Sequence, residues 1–162
     1  MNETVMINAY IVISIIIAAT DILLAVKSFE KNKTTGRFLG FACMGAAIVD
    51  ISYLISIISD SYMCMAIMSC IYFISIDFML VSLLIFTVYF TKGKFSGYGK
   101  WMVAFCFLYC IYELIVFAVN PFMEIAIEYK PRDTLIAKYS YHMKPLYDLH
   151  PVSYTHLRAH ET

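Results

Sequence analysis

The sequence predicts an all-α integral membrane protein with four transmembrane helices and an extracytoplasmic segment folded as a β-hairpin. Two observations carry this. Hydrophobic residues make up 61% of the 162 positions against 15% charged, with a mean hydropathy of +0.73, where a soluble domain is about 45–50% apolar and about 25% charged. The stretch Met63–Phe90 then runs for 28 residues without Lys, Arg, Gly or Pro, its one charge being Asp77. At about 1.5 Å per residue such a helix exceeds the roughly 30 Å hydrocarbon layer, and it has no continuous polar face.

The N-terminal eight residues hold no Lys or Arg, so they lack the basic start of a signal peptide, and the first apolar run is expected to stay as a membrane span. That span covers residues 9–26. Asp21 shares a helical face with Tyr10, Ser14, Ala18, Ala25 and Ser28, a seam of small and polar side chains suited to another helix rather than lipid. The loop Lys27–Arg37 has four basic residues and one acid.

The second span is 38–58. Gly40, Ala42, Cys43, Gly45, Ala46 and Ala47 permit close helix approach, and Asp50 lies on the face of Cys43, Ala46 and Ala47. Ser59-Asp60-Ser61 is a tight turn into the third span, 63–90. The loop Thr91–Lys100 has three lysines and three glycines and no acid. Trp101 opens the fourth span, 101–119, as an interfacial aromatic. This span carries Glu113 on a face with Cys106, Tyr109, Cys110 and Asn120. With no proline inside these bounds, the broken helices of secondary transporters are not signalled. The five cysteines form no C-x-x-C pair and read as packing residues.

Orientation follows from the lysines and arginines. Both long loops are basic and the intervening turn is not, which directs the N-terminus outward and both basic loops into the cytoplasm of a plasma-membrane protein. Residues 120–150 then lie outside. Met123–Tyr129 and Thr134–Tyr141 alternate in polarity around Lys130-Pro131-Arg132-Asp133, the pattern of a hairpin, with an amphipathic interfacial helix as the alternative.

Every span holds one acid. Counted at about 1.5 Å per residue from the cytoplasmic ends, Asp50 and Glu113 lie about 18 Å deep, Asp77 about 22 Å and Asp21 about 9 Å. An acid facing lipid costs about 2.5–3.5 kcal/mol on insertion scales. Asp50, Asp77 and Glu113 are therefore expected to face protein, either as hydrogen-bonded packing groups or as the lining of one polar sensing cavity. The face around Asp77 (Cys70, Phe73, Val81, Leu84) is apolar, so its partner must come from another helix.

No phosphate loop, nucleophile elbow, zinc motif or GG-D/E-E-F signature occurs. Residues 1–150 are expected to carry no enzymatic activity, cofactor or metal. The zero net charge gives no reason to expect a nucleic-acid partner.

The outside N-terminus, the basic loops KSFEKNKTTGR and TKGKFSGYGK, Asn120-Pro121-Phe122 and the closing PLYDLH together resemble a family. It is the N-terminal seven-helix sensor region of bacterial histidine kinases and GGDEF diguanylate cyclases. The stretch 120–150 is most similar to members attached to cyclases. Many members have a His soon after the Asn-Pro, where this chain has Met123 and Glu124. The resemblance covers residues 1 to about 150. It implies a partial sensor domain whose remaining three helices and cytoplasmic output domain follow, with room for a homodimer. A fragment of a transporter or channel using buried acids for ions is the alternative. From Pro151 the chain reads PVSYTHLRAHET, which resembles a translated sequencing-adapter remnant. Residues 151–162 are expected to be foreign to the fold, His156 and His160 included.

Overall fold

The computed structural model describes residues 3–31, 33–94, 97–131, 139–145 and 147. Four helices, α1 (Glu3–Glu30), α2 (Thr34–Ile58), α3 (Tyr62–Lys92) and α4 (Gly97–Met123), precede a hairpin of β1 (Ile127–Pro131) and β2 (Tyr139–Met143). All four helices are long and apolar enough to cross a membrane. The molecule is an all-α membrane protein with a two-stranded appendage. Residues 148–162, which include His150 and the tail expected to be foreign, lie outside the described residues.

α1, α2 and α4 outrun their apolar cores by about a turn at one end or both, because the flanking Lys, Thr, Gly and Tyr residues tolerate helical backbone at a membrane surface. Several hydroxyls inside the spans are satisfied locally. Thr20, Thr87 and Thr91 donate to carbonyls one turn back, each at 2.8 Å, and Ser52 donates to Ile48 at 2.6 Å. This removes the penalty of a bare hydroxyl in an apolar setting. Ser61 caps α3 by accepting from the Cys64 N–H, and Gly93 ends the helix at φ 68°, where glycine adopts the left-handed conformation without a Cβ clash.

The helices pack as a row in chain order, with α1 on α2, α2 on α3 and α3 on α4. The small-residue cluster of α2 sets these approaches. A Cβ added to Gly40 would sit 2.7 Å from the Phe29 ring of α1, and one added to Gly45 would sit 3.0 Å from Cβ of Met79 on α3. On α1, the seam around Asp21 buries Ala18, Ala25 and Ser28. The opposite face leaves Ile13, Ile16 and Leu23 more than half exposed, and α4 likewise exposes Phe105, Leu108 and Ile115.

Two boundaries differ from expectation. The fourth helix does not stop at residue 119 but continues through Pro121 to Met123, so Met123 is helical rather than the start of a strand. Pro121 is tolerated because it falls within the last turn, where the loss of one N–H leaves the rest of the ladder intact. The hairpin is present and antiparallel, but its strands start later than the alternation suggested. Ile127 pairs with Met143, Tyr129 with Tyr141 and Pro131 with Tyr139. The expected turn residues Arg132 and Asp133, and the expected strand start at Thr134, fall among residues 132–138, outside the described residues.

Candidate functional site

Three contacts lock the hairpin onto the N-terminal end of α3 and the C-terminal end of α4. Asn120, wholly buried at the end of α4, accepts from the N–H groups of Ala126 and Ile127 at 2.8 and 2.9 Å and donates to the Ile127 carbonyl at 3.2 Å. One amide thereby satisfies three backbone groups of the incoming strand, which no apolar residue could do. Glu124 holds φ 47°, a left-handed conformation that is unfavourable for a non-glycine residue, with its N–H on the Asn120 carbonyl. Its carboxylate accepts from the Tyr62 hydroxyl at the start of α3. Beneath these contacts, Ile127, Tyr129 and Tyr147 enter one core with Met65, Ala66, Cys70, Val116 and Phe117. Phe73 stacks on Phe117 at 4.9 Å. Burial pushes the Tyr129 and Tyr147 hydroxyls above the ordinary tyrosine range, so both stay neutral through the physiological range.

Below this platform lie the acids. The structure divides them into two pairs rather than gathering Asp50, Asp77 and Glu113 into one cavity. Asp77 of α3, 5% exposed, hydrogen bonds Glu113 of α4, 2% exposed. Tyr109, one turn before Glu113, donates its hydroxyl to the same carboxyl group. A hydrogen bond between two carboxyl groups requires a proton on one of them, so this contact holds a proton between two helices. Asp50 is instead within hydrogen-bond reach of Asp21 on α1. That pair is half-buried, and Asp50 borders an apolar cleft of about 210 Å³ between α1 and α2 with Ser14, Ala18 and Leu54.

The reason for the regrouping is lateral position. In a row of helices, α2 and α4 lie on opposite sides of α3, so acids at one depth still point to different neighbours.

A cavity of about 360 Å³ opens between the hairpin, the C-terminal end of α2 and the N-terminal half of α3. From α2 come Tyr53, Ser56 and Ile57, and from α3 come Met65, Ser69, Tyr72 and Phe73. The hairpin supplies Ile127, Tyr129, Tyr139, Ser140 and Tyr141. Sequence reading missed this site, although the tyrosines on alternate positions of β2 and on the last turns of α2 were its signal. It also read Asn120 only as a neighbour of Glu113 and as part of a motif. His142 lies exposed on β2, opposite Glu128. Among the described residues, no three His, Cys, Asp or Glu side chains converge as metal ligands would.

The chain matches no protein-family model, no curated protein and no solved structure.

Proposed function

We propose that this chain is the membrane-embedded sensory input module of a bacterial signal-transduction protein, whose parent is a diguanylate cyclase or a histidine kinase. The observation that carries the reading is one continuous path. The hairpin is fixed by Asn120 to the end of α4, and the same helix carries Glu113, bonded to Asp77 of α3. Both helices then run to the basic loop between them. An event at the hairpin therefore acts on a buried polar contact between these helices. That contact can rearrange, because exchanging a shared proton changes which groups donate and which accept.

The apolar outer faces of α1 and α4 suit further helices, as a seven-helix parent requires, or a second copy of the chain. Seven spans starting outside would end in the cytoplasm, on the side of an effector. In this reading residues 1–150 are the partial sensor domain, 151–162 do not belong to it, and lipid is the remaining partner. The proton held between Asp77 and Glu113 favours the second reading, an ion-coupled transporter or channel, but those two acids are joined to each other rather than to a row of further acids leading across the bilayer.

Topology tests the proposal. In a background without the native cysteines, cysteines placed at Asp60 and His142 should react with a membrane-impermeant thiol reagent in intact cells. Cysteines at Lys33 and Lys94 should react only after lysis. The reverse labelling would put the hairpin inside the cell and overturn the sensor reading.

A further inference from the structure

The cavity under the hairpin is walled largely by aromatic rings. Tyr53 of α2 and Tyr72 of α3 face each other with ring centroids 5.5 Å apart at 40°, and Phe73 stands at 84° to Tyr72. Tyr139 and Tyr141 complete the wall from β2. Among the described residues, no Lys, Arg or His lines it. Lys130 and Lys144, beside the hairpin, both lean on Glu128, at 3.6 and 4.0 Å.

Acids instead stand behind the rings. Asp50 is within electrostatic reach of Tyr72. Glu124 binds the hydroxyl of Tyr62, whose ring packs edge-on against Tyr129 and Tyr139 at 6.0 and 5.7 Å. The cavity thus presents aromatic rings and hydroxyl groups to its contents and keeps the carboxylates of Asp50 and Glu124 one layer back. An anionic ligand would find hydroxyl donors but no cation among the described lining residues. A strongly hydrated metal ion would find no charged oxygen in direct contact. A cation with a greasy surface would find both attractions at once, since ring faces carry negative potential and the second-layer carboxylates add to it.

We propose that this cavity binds a small soluble quaternary ammonium compound, held by cation–π contact with Tyr53, Tyr72, Tyr139 and Tyr141. The site deepens the sensor reading by naming the class of signal, and it relies on that reading only for facing outward. Binding itself is measurable whichever way the chain is inserted, so the two fail separately.

The test uses the full chain in phosphatidylglycerol nanodiscs, with empty discs as background and choline as the probe. Choline should bind saturably, and 3,3-dimethylbutanol, which has its shape without its charge, should bind about ten-fold more weakly. Tyr72→Phe keeps the ring face and should stay within about two-fold of the unmodified chain, while Tyr72→Leu should lose about ten-fold. Tyr141→Leu, at a position 55% exposed, should weaken choline to a similar degree. Absence of saturable choline binding to the unmodified chain would overturn the proposal. So would equal binding of the neutral alcohol, or unchanged affinity in both leucine variants. Choline affinity should persist in phosphatidylcholine discs. Its loss there would make the lipid headgroup the occupant and overturn the soluble source.

Discussion

Replacing Asp77 with leucine will destabilise the chain by about 1–3 kcal/mol, because Glu113 keeps its place in the core with one partner removed. Polar contacts between membrane helices average only about 0.6 kcal/mol, since alternative partners can be found when one is lost. Glu113 has few alternatives. It is 2% exposed, and Tyr109 already occupies one of its carboxyl oxygens. The upper part of the range is therefore expected. Replacing both acids, as Asp77→Leu with Glu113→Leu, removes the stranded group together with its partner and should return stability most of the way to that of the parent. Reversible unfolding in mixed micelles gives the double-mutant cycle. Strictly additive losses would mean that the two carboxyls are energetically independent, and the α3–α4 contact would then have to be apolar.

Asn120→Ala is expected to release the hairpin. The substitution strands the N–H groups of Ala126 and Ile127 and one bond to the Ile127 carbonyl, in a place no water reaches. Keeping the hairpin docked would cost about 1–3 kcal/mol for each stranded group. Undocking is the cheaper response, because a two-stranded hairpin has little stability of its own. Amide exchange across β1 should rise by about 100-fold or more, which corresponds to about 2.7 kcal/mol of lost protection, while exchange in α1 and α2 stays unchanged. Asn120→Asp keeps the acceptor and should fall between the two. Unchanged protection of β1 in Asn120→Ala would mean that the apolar contacts of Ile127 and Tyr129 suffice for docking.

The four spans could be read from the sequence because a bilayer demands long uninterrupted apolar runs, and Met63–Phe90 can be little else. The α1 seam was legible for a related reason. Small residues at three- and four-residue spacing beside an acid have little use facing lipid, and Ala18, Ala25 and Ser28 are indeed buried. The hairpin showed in its alternation, but its register did not. Alternation repeats every two residues and leaves the pairing partner open, so Pro131 passed for a turn residue when it ends a strand opposite Tyr139. The acids were legible in depth and not in azimuth. Rise per residue sets how far down a helix a carboxylate lies, whereas its partner depends on which helices are neighbours. Asp50 accordingly met Asp21 rather than Asp77. Asn120 was hidden for another reason. Its work is to satisfy backbone groups six and seven residues ahead, and backbone groups leave no mark in a sequence.

The sensor account stands most directly on the Asp77–Glu113 contact carrying the signal between the outer platform and the output. The measurement is the signal response of the complete protein, with its output domain, comparing Asp77→Asn with Asp60→Asn. Asparagine at 77 retains a hydrogen-bonding group of the same size but cannot exchange a proton with Glu113, so the response should change in amplitude or threshold while the protein still inserts and folds. Asp60, exposed in the turn between α2 and α3, lies about 25 Å along α3 from Asp77 at about 1.5 Å per residue, and its substitution should leave the response as it was. If both variants respond like the unmodified protein, the acid pair is a packing contact and the account is contradicted.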